Sequence, residues 1–249
     1  MIKFQDPMKR WFDFIVSFFG LIIFVPLIIP IAFIIWLQDR NSPLYIAPRI
    51  GLNGRVFKMV KLRSMVLNAE KSGVDSTSVD DSRITKIGHF IRRFKLDEIS
   101  QLYNVFIGDM SLVGPRPNVK REVLSYTDEE KILLSVRPGV TDIASIVFSD
   151  ESEILRGKID PDLSYNQLIR PYKSRLGLFY IEKRSLWLDV VLCALTITAV
   201  VSRKFTLKIL GKIMSRLGAS PSLIKVAARK DPLQPAAPPG GNSVINSRD

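Results

Sequence analysis

A chain of 249 residues with 36 basic and 24 acidic side chains carries a formal charge of +12. That length holds one soluble domain plus membrane elements, and the charge suits anionic partners: a lipid surface, a phosphorylated substrate or nucleic acid. One cysteine, Cys193, and one histidine, His89, exclude a disulfide framework and multi-cysteine metal sites. Carboxylates, basic groups and a hard metal ion are left to carry any chemistry.

The uncharged run from Phe14 to Leu37 comes first. As one helix it would reach about 36 Å, enough to cross a hydrocarbon core of about 30 Å. Pro26 and Pro30 each remove a backbone donor and crowd the preceding turn, which predicts a kink. Pro26 divides the run into two arms of about 18 Å, half a membrane each. Lys9 and Arg10 precede the run; Arg40, Arg49, Arg55, Lys58, Lys61 and Arg63 follow it. Basic flanks on both sides lack the asymmetry that orients a span. A re-entrant hairpin over residues 1–40, broken at Pro26 and returning to the leaflet it entered, accounts for this pattern. A crossing anchor is the competing reading. The length of the run and the lack of a small-residue cleavage site argue against a signal peptide.

Residues 41–57 carry apolar and β-branched positions around a Gly-rich turn and read as short strands. Residues 71–82 are polar and predict a mobile loop. From Arg83 onward, Ile84, Ile87, Phe90, Ile91 and Phe94 recur at helical spacing, with Arg83, Lys86, Arg92 and Arg93 as a basic flank and His89 on the surface. A second helix is expected from Leu96, with Ile99, Leu102, Tyr103 and Phe106 inward and Gly108-Asp109 closing it. Gly114-Pro115-Arg116-Pro117 must be loop. Residues 119–135 read as helix. The apolar stretch 186–201 reads as a buried or interfacial helix rather than a span. Beyond it, Lys204, Lys208, Lys212 and Arg216 alternate with Leu207, Leu210, Ile213, Met214 and Leu217. That pattern suits a helix lying on anionic lipid, or one packed on the core. The Pro- and Gly-rich tail, 231–249, is expected to be disordered.

Asp97 and Glu98 are adjacent acids at an expected helix start, among Arg92, Arg93, Lys95 and, farther on, Arg116. Acids embedded among bases suit phosphoryl chemistry, in which Arg neutralises phosphate oxygens, one carboxylate holds Mg²⁺ and another attacks phosphorus. An Asp-Glu pair by itself is more often a helix cap with a solvated neighbour.

The pair is not alone. Lys9-Arg10-Trp11-Phe12-Asp13, Arg49-Ile50-Gly51 with Gly54 and Phe57, and Lys61-Leu62-Arg63-Ser64-Met65 are followed by three further motifs. These are Leu96-Asp97-Glu98-Ile99-Ser100-Gln101-Leu102-Tyr103-Asn104-Val105, Gly108 to Pro117, and Arg137-Pro138-Gly139-Val140-Thr141. In that order they resemble the bacterial sugar transferases, the monotopic phosphoglycosyl transferases, over roughly residues 8–202. The resemblance implies that Asp97 is the nucleophile. It would attack the β-phosphate of a UDP-sugar, expel UMP and hold an aspartyl phosphosugar for transfer to undecaprenyl phosphate. Glu98 would bind Mg²⁺. Relatives often place Ser before the hairpin proline, where this chain has Val25. Larger relatives add N-terminal transmembrane helices, so this chain looks like the minimal catalytic form.

Arg116 is the leading candidate for a phosphate contact, against a structural ion pair. Lys61 and Arg63 either bind phosphate or snorkel toward headgroups. Arg92 lies shortly before the pair. Asp109 either assists Mg²⁺, orients an arginine or simply ends a helix, and Arg137 is a candidate for phosphate or nucleotide binding. After Thr141 many relatives read Gly-Trp-Ala-Gln-Val, whereas this chain reads Asp142-Ile143-Ala144-Ser145-Ile146. Nucleotide and sugar contacts therefore do not carry over across 142–170.

The expectation is a mainly helical α/β protein: a re-entrant membrane hairpin (1–40), a small cytosolic catalytic domain (41–202), a basic amphipathic surface helix (203–230) and the tail. Its place would be the cytoplasmic face of a bacterial inner membrane, with a homodimer left open and no nucleic acid bound. A tethered basic binding protein without catalysis is the rival. It accounts for the charge but not for the Asp97-Glu98 and Gly-Pro-Arg-Pro motifs.

Overall fold

The computed structural model describes residues 7–247; the first six residues of the expected hairpin segment and the last two of the tail lie outside them. Its first element, α1 (Pro7–Asp39), is one uninterrupted helix of 33 residues with Pro26 and Pro30 inside it. The expected hairpin is thus not shown. The helix is bound to the body at both ends. Near its start, Lys9 Nζ donates to Val113 O (3.0 Å) and Asp189 Oδ2 (2.5 Å), while Arg10 donates to the carbonyls of Val105 and Phe106. At its end, Arg63 donates to both carboxylate oxygens of Asp39, at 2.5 and 2.7 Å. Most of the apolar side chains between these ties are exposed, from Phe18 and Phe19 through Leu27 and Ile29 to Phe33.

The strands β1 (Leu44–Ile50) and β2 (Val56–Leu62) pair antiparallel, Leu44 opposite Leu62 and Ile50 opposite Val56. The Gly-rich turn between them contains Asn53 and Gly54, both at positive φ. Next come α2 (Lys86–Arg93), capped by Thr85, then α3 (Leu96–Ile99) and α4 (Leu102–Ile107). One helix was expected from Leu96. The chain instead breaks at Ser100-Gln101, and the inward face carries the buried polar side chains of Ser100, Gln101 and Asn104 beside Val105. Asn104 accepts from Val60 N (2.9 Å) and donates to Lys58 O (2.7 Å), so its amide continues the edge of β2. Leu102 packs against both the core and Gly20 of α1, Phe106 turns toward α1 and stacks on Phe14 at 5.0 Å, and Tyr103 is exposed.

The strands β3 (Ser111–Val113) and β4 (Gly139–Thr141) pair in parallel. Beyond β3, Gly114 meets Gly139 backbone to backbone. A Cβ on Gly139 would stand 2.1 Å from Gly114 N, and one on Gly114 2.4 Å from Arg137 O. Only glycine permits that approach, which seats the loop carrying Arg116. Residues 119–135, expected as one helix, divide into α5 (Lys120–Leu124), α6 (Asp128–Lys131) and a 3₁₀ turn. The division falls where Thr127 and Glu130 form a capping box, which starts a new helix.

After β4 come α7 (Ile143–Val147), α8 (Glu151–Ile154), α9 (Pro161–Leu168) and α10 (Arg170–Lys183). Then follow α11 (Leu186–Val201), α12 (Arg203–Arg216) and α13 (Pro221–Ala228). The core gathers Val105, Met110, Ile143, Leu176, Leu188 and Leu210 from these helices and the strands. One face of α11 is in this core, while Trp187, Val190, Ile197 and Val201 on its other face are exposed. The apolar face of α12 (Leu207, Leu210, Met214) is also spent on the core, so that face is not free to enter lipid; its lysines remain outside.

The tail has no regular structure but is not loose. Tyr172, Arg175 and Gln167 donate to the carbonyls of Gln234, Ala237 and Ile245, and Thr127 donates to that of Pro239. Proline lacks an N–H to satisfy, so an extended Pro-rich segment can dock through its carbonyls alone.

Candidate active site

A cleft of roughly 590 Å³ opens between the end of β2, the start of α3, the Arg116 loop and the faces of α5, α9 and α10. Asp97 and Glu98 line it. Lys95, just before them, has φ 53°, the left-handed region that a lysine adopts at a cost of roughly 1–2 kcal/mol. That turn starts α3 where the two carboxyls reach the cleft.

Each acid meets a different base. Lys61 Nζ lies 3.6 Å from Asp97 Oδ2, and Arg116 Nη1 donates to Glu98 Oε1 at 2.9 Å. Asp97 and Glu98 are largely buried, with 15% and 18% of their side-chain surfaces exposed. Burial alone would raise the Glu98 carboxyl, but Arg116, Lys95 and Lys61 together outweigh it and hold the group below its usual range. Burial, reinforced by Arg116, pulls the Lys61 ammonium down to about 8 against the opposing effect of Asp97 and Glu98. Arg92 also lines the cleft, its Nε donating to Ser64 Oγ at 3.0 Å.

Of the residues expected from sequence, Asp97, Glu98, Lys61, Arg92 and Arg116 therefore come together. Arg63 borders the cleft, but its guanidinium is engaged by Asp39 and by Ser42 O (2.8 Å). Its role here is to tie α1 to β2. Arg137 donates to Gly108 O (2.8 Å) and does not line the cleft, and neither does Asp109. Pro26 lies in the exposed middle of α1.

Several lining residues were not among the site candidates read from the sequence, although Arg49 belongs to the Arg49-Ile50-Gly51 motif. Arg49 comes from β1, Asn118 and Glu122 from α5 and the residues before it, Tyr165 from α9 and Lys173 from α10. The polar loop expected to be mobile supplies another wall. Its turns wrap Arg83, which donates to Ser72 Oγ, Val74 O and Asp81 Oδ2 at 2.6 to 2.7 Å. Asp162, at the start of α9, accepts from Ser76 N at 2.8 Å and so pins the loop across the cleft.

A cleft floored by two acids and walled by Lys61, Arg92 and Arg116 can hold a diphosphate and offer a carboxylate to it. Mg²⁺ is usually held by one or two carboxylates together with substrate phosphates. Glu98 fits that pattern, since Arg116 takes only one of its oxygens. Among the described residues no three His, Cys, Asp or Glu side chains converge, so a cage made of protein ligands alone is not what this site offers.

A family model for bacterial sugar transferase matches residues 4–203. The chain is 31% identical over 199 residues to the UDP-N-acetylgalactosamine-undecaprenyl-phosphate N-acetylgalactosaminephosphotransferase of Aeromonas hydrophila, covering 78% of this chain and 44% of that protein. It is 37% identical over 196 residues to the undecaprenyl-phosphate glucose phosphotransferase of Komagataeibacter xylinus, covering 76% and 35%. To the undecaprenyl-phosphate galactose phosphotransferase of Salmonella typhimurium it is 32% identical over 213 residues, covering 79% and 41%. The chain thus spans less than half the length of each of these three relatives, whose names carry three different sugars.

Proposed function

This chain belongs to the bacterial sugar transferase family, and we propose that it moves a sugar-1-phosphate from a UDP-sugar to undecaprenyl phosphate, releasing UMP. The observation that carries this reading is the pairing of Asp97 with Lys61 and of Glu98 with Arg116 in one cleft. In the first step an Asp97 carboxylate oxygen attacks the sugar-bearing phosphorus. The bond from that phosphorus to the bridging oxygen breaks, and UMP leaves with that oxygen. In the second, a phosphate oxygen of the lipid attacks the same phosphorus and the bond to Asp97 breaks, restoring the carboxylate and giving undecaprenyl diphosphate sugar. Splitting the transfer this way predicts ping-pong kinetics.

Lys61, next to Asp97, neutralises charge as the anionic nucleophile meets the anionic diphosphate. Arg116 both orients Glu98 and offers its remaining donors to a phosphate. A Mg²⁺ held by Glu98 and the substrate would add neutralisation of the phosphate oxygens.

The body sits on one face of the membrane, the cytoplasmic one where nucleotide sugars are, with α1 inserted from that side. What supports this is that Lys9 and Arg10 at the start of α1 and Asp39 at its end are all tied to the same body. A straight helix of this length reaches about 50 Å. Crossing the membrane would set those ties on opposite sides. A re-entrant path satisfies both, and Pro26 and Pro30 are where such a path would turn.

The test is nucleotide release by the detergent-solubilised protein with Mg²⁺, undecaprenyl phosphate and a panel of UDP-sugars, beside Asp97→Asn. UMP that forms with one donor and disappears in the variant supports the reading. UDP in place of UMP would mean direct glycosyl transfer. A folded, lipid-bound protein that releases no nucleotide with any donor would favour the binding-protein rival.

A further inference from the structure

The cleft is not uniform. Its Lys61, Arg92 and Arg116 end is cationic and suits phosphate. On the other side of Arg116 the lining changes to Asn118, Glu122 and Tyr165. The hydrogen-bond partners of the Glu122 carboxyl are neutral: Asn118 Nδ2, which donates at 3.0 Å, and the Tyr165 hydroxyl. Burial pushes this carboxyl up to about 7 against Arg170 and Lys173; the Lys173 ammonium lies 5.3 Å from the centre of the Tyr165 ring, its charge paired with Glu151.

Asn118 is held rigidly. Its carbonyl accepts from Ile50 N at 3.0 Å, and its Nδ2 also donates to Tyr126 Oη at 2.6 Å. With that amide nitrogen occupied, the side-chain oxygen of Asn118 and the carboxyl lone pairs that Glu122 does not give to Asn118 and Tyr165 remain as acceptors. Acceptors grouped in a half-buried wall call for a ligand that brings donors. Neighbouring hydroxyls on a sugar ring are such donors; a phosphate is not. Arg116 and Asn118 are two residues apart in one loop. A group bonded directly to the phosphorus that Asp97 attacks therefore lies within reach of Asn118, whereas the nucleoside is one phosphate farther away.

We propose that Asn118, Glu122 and Tyr165 form the subsite that reads the hydroxyls of the donor's pyranose ring, with Glu122 the specificity-determining residue. This rests on the transfer reading above. A site built to hydrogen-bond a hydroxyl discriminates strongly against a ligand that lacks or misplaces it, because its buried polar groups are then left unpaired. The same chemistry could serve the ribose, and the test separates the two.

The measurement is the Kd of the full chain in detergent, with Mg²⁺, for UMP, UDP-glucose, UDP-galactose and their two N-acetyl counterparts. It is made on the wild type, Glu122→Gln and Asn118→Ala, each shown to be folded by its unfolding curve. The expected result is a wild type that prefers one sugar about tenfold over its C4 epimer. Glu122→Gln narrows that ratio to below threefold and leaves the Kd for UMP within twofold. The proposal is overturned if the ratio survives in both folded variants or if the wild type binds all sugars alike. It is equally overturned if UMP binding weakens in parallel, which would assign the contact to ribose. Because the readout is binding, selective binding without UMP release would sink the transfer reading and leave the subsite standing. Turnover without sugar selectivity would do the reverse.

Discussion

Lys9 and Asp189, 180 positions apart, meet at 2.5 Å between α1 and α11. Tyr180 completes the contact, its hydroxyl donating to Asp189 Oδ1 at 2.6 Å and lying 3.1 Å from Val113 O. Val113 ends β3, and the loop to Arg116 follows at once. The long apolar helix α1 is therefore clamped to the strand that positions a candidate phosphate ligand. Asp189 is 1% exposed, and removing one partner of a buried pair costs about 3–5 kcal/mol. Lys9→Met should therefore lower stability by about 3 kcal/mol or more. Adding Asp189→Asn to it should cost less than the sum of the two single changes. Denaturant unfolding of the four proteins in one detergent measures both.

Arg116 is expected to be worth far more to turnover than to folding, because its side chain is 36% exposed and faces the cleft. Arg116→Ala should reduce kcat/KM by roughly 10²–10³, the loss typical of one preorganised donor at a reacting group. Arg116→Lys should recover only part of it, since an ammonium cannot reproduce the guanidinium's fork toward Glu98 and a phosphate at once. Steady-state UMP release against unfolding midpoint separates the two effects. A drop in midpoint as large as the loss of rate implies would mean that Arg116 is a structural ion-pair residue.

Lys61 gives a pH dependence of known sign. Held at about 8 by burial, it is charged below that pH and loses its charge as pH rises through it. The kcat/KM profile, which reports the free enzyme, should therefore fall on its alkaline side with an apparent pKa near 8. Lys61→Arg should move that limb upward. Stability should run the other way. Between about 8 and the ordinary lysine value of 10.5, the unfolded chain binds the proton more tightly than the folded one, so unfolding free energy rises with pH there. The Lys61 contribution is separated by repeating both titrations on Lys61→Met.

The parts of this fold that were legible in the sequence are those decided by neighbours along the chain. The β1–β2 hairpin follows from the turn around Gly54, the body of α2 from the spacing of Ile87, Phe90, Ile91 and Phe94, and the dyad from its place among basic residues; the start of α2 falls later than the expected Arg83, at the Thr85 cap. The parts that were not are tertiary pairings. Nothing local marks Arg63 as the partner of Asp39, so it reads as a phosphate ligand or as a side chain snorkelling toward headgroups. Nothing local shows that Asn104 completes the edge of β2, and this is what turns the polar side of α4 inward. Asp109 and Arg137 lie in the right motifs but outside the cleft. Glu122 sits on a helix of unremarkable polarity, and only the arrival of Asn118 and Tyr165 beside it makes it part of the cleft. The tail's composition gave no hint of the donors that await its carbonyls.

The path of α1 is open to a direct check. Both ends are anchored to one body, so single cysteines at Met8 and Asn41, placed in a Cys193→Ser background, should lie on the same side of the membrane. In inverted inner-membrane vesicles both should react with a membrane-impermeant maleimide, and in intact spheroplasts neither should. A crossing anchor predicts the opposite, one site reacting in each preparation. Pro26 then has a defined expected effect. If the helix turns within the leaflet at this point, Pro26→Leu restores a backbone donor and removes the clash that favours the turn. A straighter α1 cannot keep both the Lys9–Asp189 and the Asp39–Arg63 contacts while inserted in lipid. One cysteine site should then change sides, or the variant should lose stability in membranes while keeping it in detergent. Unchanged labelling and unchanged stability in both media would mean that α1 lies along the surface without relying on a proline break.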